Sequence, residues 1–216
     1  SAQSLWLAVR IERRLGNLSL VMAMRGAWWA TLYELGLIHA DDLLRDAART
    51  LRGRREQDVV ERTLVFWREE VAGLIRPGAR AALAQHRQQG DHCWLLTSTS
   101  NYLSEPVLEA LQLDGYLANH FEVKDGLFTG EMIDPICFGA GKRTLAERCA
   151  AEAGVALADC SFYTDSLSDL PALLVVGRPV AVNPDPRLKR EATRRGWPIV
   201  DWGRPDALSL PAASSR

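Results

Sequence analysis

Two carboxylates four residues apart, Asp165 and Asp169, stand in the stretch Ser161-Phe-Tyr-Thr-Asp-Ser-Leu-Ser-Asp-Leu-Pro-Ala-Leu. Cys160 to Thr164 can extend as a short strand, and about 168 to 176 reads as an apolar helix. Both acids therefore lie where a strand gives way to a helix. In an open parallel sheet, ligands bind at the carboxyl ends of the strands. Acids placed there suit a hard cation with oxygen ligands, typically magnesium holding a phosphate. Asp165 is the candidate metal ligand, and Asp169 would hold Lys142 or a metal-bound water in place. The plainer alternative is an aspartate cap on the following helix.

Two further clusters carry chemistry of the same kind. Leu95-Leu-Thr97-Ser98-Thr99-Ser100-Asn101 is an apolar strand that ends in four hydroxyls and an amide. Hydroxyls and backbone N–H groups leading into a helix N-terminus can cradle a phosphate, with Thr97 and Ser98 as the candidate contacts. A routine helix cap would use the same residue types. Gly139-Ala-Gly141-Lys142-Arg143 lets the backbone come close to a ligand and puts a lysine at a helix start. Its glycine and hydroxyl spacing is not that of a Walker A loop. A lysine early in a helix opposes the macrodipole, a small cost that a bound anion reverses. A solvent-exposed lysine is the alternative. Only Lys124, Lys142 and Lys189 are lysines among 26 basic residues, so each is worth inspecting.

The elements that must position these residues fall into two regions. Residues 1 to about 76 read as four helices without strands, a small bundle. The second of them, Leu18 to Leu35 with Trp28-Trp29, is very apolar but interrupted by Arg25 and Glu34, and falls short of a membrane span. It reads as a buried cap helix, with membrane-surface contact as the alternative. Two more run from Ala40 to about Leu51 and from about Glu56 to Ile75. The character changes at Pro77-Gly78. A helix over Ala79–Gln89, a strand over Cys93–Thr97 and a helix over about Asn101–Leu111 come first. Phe121 to Gly130 alternates around Asp125-Gly126, a hairpin signal. Helices over Gly141–Ala153 and Pro186–Arg195 and strands over 160–164, 179–182 and 198–202 complete the pattern. Strand and helix alternating over 77–204 predicts an α/β fold, a Rossmann-like parallel sheet flanked by helices. Residues 205–216 read as a frayed tail.

Composition narrows the classes. Of 216 residues, 47% are apolar and 25% charged, as in ordinary globular chains. A formal net charge of −1 offers no electrostatic reason to expect nucleic acid as a partner. Cys93, Cys137, Cys149 and Cys160 form no CxxC pair and no zinc-like spacing. They read as free thiols, which points weakly to a reducing cytoplasm.

The order strand-Thr97, Gly-Lys142, strand-Asp165-x-x-x-Asp169 resembles the haloacid dehalogenase-like phosphatases, and within them the phosphoserine-phosphatase-like branch. Thr97 is similar to that family's second-motif hydroxyl, Lys142 to its third-motif lysine, and Asp165 and Asp169 to its fourth-motif acids. The hairpin at 122–130 and Val180-Ala-Val-Asn-Pro-Asp185 leading to Gly196-Trp-Pro198 resemble further marks of the branch. The resemblance implies that the bundle at 1–76 is a cap inserted before the α/β core of 77–204. It also implies magnesium-dependent hydrolysis of a small phosphomonoester through a phospho-aspartate, with phosphoserine the first-choice substrate. A lipid phosphate of the phosphatidylglycerophosphate type is the alternative suggested by the apolar cap segment.

One departure is marked. The family's first motif, Asp-x-Asp-x-Thr, supplies the nucleophile, and no Asp-x-Asp string occurs in the sequence. Asp41-Asp42 has the wrong spacing and lies in the cap. The family's first strand is central, and without it the buried N–H and C=O groups of its two neighbours would go unpaired, at about 1–3 kcal/mol each. The expectation is therefore an upstream segment of roughly 10–20 residues, enough for one strand and the motif. A chain truly lacking it would be an inactive phosphate-binding or scaffold protein.

Overall fold

The computed structural model describes residues 40–204. The first of the four helices expected over 1 to about 76, the second at Leu18–Leu35 with Trp28-Trp29, and the expected tail at 205–216 lie outside the described residues. Helix α1 (Ala40–Arg49) starts with Asp41 and Asp42 and finishes with Arg49. That arrangement complements the helix dipole at both ends. Gly53, at φ +78, turns the chain into α2 (Glu56–Phe66). The path then widens into a π turn over Trp67–Val71 and tightens to a 3₁₀ turn over Ala72–Leu74. The single helix expected up to Ile75 is thus one path with a change of pitch. Phe66 and Trp67 are both buried, although neighbours on a regular helix point about 100° apart. The wide turn falls at that pair.

Helix α3 (Pro77–Gln88) begins at Pro77 itself, where the missing N–H costs nothing. The expected boundary at Pro77-Gly78 is therefore also a helix start. Strand β1 (Trp94–Ser100) runs into α4 (Asn101–Leu111), capped by the Ser100 hydroxyl, which accepts the Leu103 N–H at 3.3 Å. Strand β2 (Gly115–Lys124) and β3 (Leu127–Ile133) form the hairpin. Asp125 and Gly126 turn it with φ of 51° and 73°, the double positive φ that selects this dipeptide. The first half of β2 pairs parallel with β1 and its second half antiparallel with β3. The sequence pattern shows only the hairpin half.

Helix α5 (Ala140–Glu152), strand β4 (Ser161–Thr164), helix α6 (Leu170–Leu173), strand β5 (Arg178–Val182), helix α7 (Pro186–Arg195) and strand β6 (Ile199–Val200) follow. α6 and β6 are shorter than expected. The strands form two sheets, ordered β1-β2-β3 and β4-β5-β6, the second wholly parallel. β1 ends one sheet and β4 ends the other. Among the described residues no strand pairs the second edge of either.

Three apolar clusters hold the halves. Leu173, Ala181, Leu188 and Ala192 fuse α6, β5 and α7, with Phe162, Leu167 and Trp197 against them. Leu188 is fully buried, and truncating it to alanine should cost about 2–5 kcal/mol. Phe66, Trp67 and Leu103 pack α2 on α4, and Ala48, Met132 and Ile136 pack α1 on β3. Helix α1 therefore sits on the first sheet, and α2 on the helix that follows β1. Cys93 and Cys137 are buried, Cys149 and Cys160 half-buried, and all four are free. Among the described residues no helix is long and apolar enough to cross a membrane.

Candidate active site

The site forms where the strands of both sheets end. Helix α5 enters it through Gly139, at φ +50. At Gly141 a Cβ would come within 1.8 Å of the Ile136 carbonyl oxygen, so only glycine lets the first turn lie this close to the preceding loop. That approach seats Lys142 in the first turn, 6% exposed. Its Nζ lies 2.8 Å from Asp169 Oδ1 and 2.9 Å from Oδ2. Asp169 is 4% exposed. Its Oδ2 also accepts the Thr164 hydroxyl at 2.7 Å, and its Oδ1 the Ser168 hydroxyl at 3.4 Å. The carboxylate is thus paired and hydrogen-bonded, the condition under which a buried charge is tolerated. Asp169 stands at the N-cap of α6 but makes no side-chain cap bond, so it holds Lys142 rather than capping a helix. An ammonium has three donors, and among the described residues contacts to the two Asp169 oxygens leave one for another acceptor.

Asp165 differs. It is exposed, and among the described residues its carboxylate meets no hydrogen-bond or ion-pair partner. Its backbone is fixed instead: the Asp165 carbonyl accepts the Asp185 N–H at 2.8 Å. Asp185 also accepts the Leu167 N–H at 3.1 Å and those of Arg187 and Leu188 at 2.8 Å, capping α7 and pinning the 165–167 loop together. Burial pushes the Asp185 carboxyl up, but these N–H donors outweigh it and hold it below the usual range. Among the described residues no cluster of three or more metal-type side chains exists. One uncommitted carboxylate suits magnesium, which keeps several waters and is held by one or two carboxylates plus substrate phosphate.

At the end of β1, the Thr97 hydroxyl accepts the Thr99 N–H at 3.2 Å and lies 3.2 Å from the Thr99 hydroxyl. Ser100, not Thr97 or Ser98, supplies the cap of α4, so the capping alternative accounts for one hydroxyl of the four. The Ser98 carbonyl accepts Asn119 Nδ2 at 2.8 Å, and Asn119 Oδ1 accepts the Cys137 N–H at 2.8 Å. Asn119 is 2% exposed, and the sequence reading misses it. A lone asparagine in a strand carries no spacing signal, and the one available hint was a polar residue in an apolar run. The Cys137 thiol is fully buried between these elements. Burial pushes it up to about 11 against the pull of Lys142, so it stays protonated at neutral pH and is no nucleophile. That thiol feels Lys142, Asp169 and the Thr97 backbone together. The structure thus brings Lys142, Asp169 and Thr164 together, and α5, which carries Lys142, packs against β1, which carries Thr97. Asp165 stands apart at the rim.

Residues 1–174 match the family described as haloacid dehalogenase-like hydrolase. A phosphoserine phosphatase of Mycobacterium tuberculosis is 35% identical over 178 residues, which are 78% of this chain and 58% of that protein. A histidinol-phosphatase of Neisseria meningitidis is 30% identical over 174 residues, 79% of this chain and 78% of that protein. A Bordetella pertussis protein of unknown function has a solved structure that superposes with a TM-score of 0.82 at 26% identity. The match covers 93% of this chain and 92% of that one. The chain spans less than two thirds of the length of the mycobacterial relatives.

Proposed function

The chain belongs to the haloacid dehalogenase-like hydrolases, and from that premise we propose that its site hydrolyses small phosphomonoesters. The observation that carries the reading is the buried Lys142 ammonium, held by Asp169, whose carboxylate in turn accepts the Thr164 hydroxyl at the end of β4, with one donor uncommitted among the described residues. A phosphoryl group entering between the two strand ends meets that ammonium on one side and the Thr97 and Ser98 hydroxyls on the other. Donors fixed in place before charge develops are the largest source of stabilisation in such transfers. Asp165 would hold magnesium, which when bound neutralises phosphoryl oxygen charge. Asp169 orients Lys142 and does not itself meet substrate. The family resemblance gives the nucleophile as an aspartate of an Asp-x-Asp motif, and no such motif occurs in the sequence. The region read as a cap, residues 1–76, would cover the site and exclude water.

The named relatives bear on the substrate. Phosphoserine and histidinol phosphate both carry an amine one carbon from the phosphorylated CH₂–O group, so an amino phosphomonoester is the class to test first. The lipid-phosphate alternative rests on Trp28-Trp29, outside the described residues, and gains no further support. Release of phosphate from p-nitrophenyl phosphate, phosphoserine and histidinol phosphate should be measured with magnesium and with EDTA. The reading expects turnover that EDTA abolishes. Phosphate binding without turnover on any ester would mean a non-catalytic phosphate-binding protein.

A further inference from the structure

We propose that Asn119 is a positioning residue that sets the spacing between the two phosphate-binding side chains, Thr97 and Lys142. The inference rests on the phosphatase reading above. Asn119 sits where β2 changes from parallel to antiparallel pairing, opposite Ser100 at the end of β1. Its amide is used at both ends, donating to the Ser98 carbonyl and accepting from the Cys137 N–H, each at 2.8 Å. It is buried at 2% exposure, so these bonds form without competition from water.

The donor arm acts on Thr97 through one peptide plane. The Ser98–Thr99 peptide is trans, so its C=O and N–H point in opposite directions. With the carbonyl anchored on Asn119, the Thr99 N–H is aimed away from it, and it donates to Thr97 Oγ1 at 3.2 Å. An oxygen that already accepts a bond keeps its own hydrogen to donate elsewhere. Asn119 therefore sets the place of the Thr97 hydroxyl, which also lies 3.2 Å from the Thr99 hydroxyl, either oxygen being the donor there. The acceptor arm acts on Lys142. Holding the Cys137 N–H fixes the loop whose Ile136 carbonyl packs against Gly141, the residue just before the lysine. One buried amide thus ties the neutral donor of β1 to the cationic donor of α5. A slip of about 1 Å between such groups can cost on the order of a hundredfold in rate.

The test is a double-mutant cycle read as binding of inorganic phosphate. Isothermal titration calorimetry with magnesium present would compare the full chain, Asn119→Asp, Thr97→Ala and the pair. Asn119→Asp keeps the acceptor for Cys137 and loses the donor to Ser98. It should weaken phosphate by about tenfold or more, and in the Thr97→Ala background it should weaken it by little further, because both changes remove the same contact. Additive losses would overturn the proposal, since a merely structural asparagine adds its cost to that of Thr97. So would an Asn119→Asp protein that binds phosphate as the parent does. Asn119→Ser carries the same cycle if Asn119→Asp does not fold, and failure of both to fold would make Asn119 structural and end the proposal. Absence of phosphate binding in the parent would overturn the functional reading itself.

Discussion

The two sheets meet at one site with opposite chemistry. The β1-β2-β3 half ends in neutral groups: the hydroxyls of Thr97 and Ser98, on a backbone whose Ser98 carbonyl is held by Asn119 and whose Thr99 N–H donates to the Thr97 hydroxyl. The β4-β5-β6 half ends in charge: Asp169, buried and locked to Lys142, and Asp165, exposed and uncommitted. Helix α5 packs against β1, β2 and α6, so the lysine on it is where the halves join. The difference separates two ways of building a donor for phosphate. A neutral hydroxyl is placed by covalent geometry and a few bonds, and losing it leaves no charge stranded. A buried cation needs a counter-charge of its own, so its function and its stability cannot be changed independently.

The largest expected effect tests that last statement. Lys142→Ala leaves the Asp169 carboxylate buried without its ammonium, a situation that costs about 3–5 kcal/mol. Urea denaturation should show that loss, together with the disappearance of turnover. Lys142→Ala combined with Asp169→Ala should recover part of the stability and none of the activity. A Lys142→Ala protein as stable as its parent would break the comparison, because the charged half would then tolerate a stranded carboxylate.

Asp165 should behave as the reverse case within the same half. Asp165→Asn removes an exposed charge with no protein partner among the described residues, so stability should move by no more than about 0.5 kcal/mol. Magnesium-dependent turnover should nonetheless fall by roughly a hundredfold or more. Two acids four residues apart would then split cleanly, one joining fold to chemistry and one serving chemistry alone. Retained turnover in Asp165→Asn would remove the metal role.

These contrasts also mark what the residues alone could reveal. Asp125-Gly126 announces the hairpin because its turn demands positive φ, whereas Gly141-Lys142 leaves an anion site and a solvent-exposed lysine both open, and the burial of Lys142 removes the second. Asp169 was legible as a partner for Lys142, though only the structure excludes the capping role. Gly115–His120 went unread as a strand, since a stretch that pairs parallel and then antiparallel has no single pattern. Asn119 went unread with it. Its partners lie 21 and 18 residues away in the chain, and a tertiary contact of that kind leaves no local spacing. The π turn at Trp67–Val71 answers to two adjacent buried aromatics, a packing fact rather than a propensity.

The smallest expected effect concerns the neutral half, where one carboxylate does matter. Asp114 and Cys93 clasp each other at the point where β1 and β2 begin: Asp114 Oδ2 accepts the Cys93 N–H at 2.6 Å, and the Asp114 N–H donates to the Cys93 carbonyl at 2.9 Å. The Cys93 N–H holds the Asp114 carboxyl below its usual range; burial opposes this and His92 assists. A carboxyl depressed in the folded state adds stability that is present above its ordinary range and is lost as the pH falls through the depressed value. Asp114→Asn keeps an acceptor for Cys93 but cannot titrate. The parent should therefore melt slightly above the variant near neutral pH, by about 1–2 °C for a chain of this size, because the side chain is 44% exposed and solvent screens it. The gap should close as the pH is lowered past the carboxylate range. A gap that stays constant with pH would mean that Asp114 acts by shape alone, and the half read as neutral would then be neutral throughout.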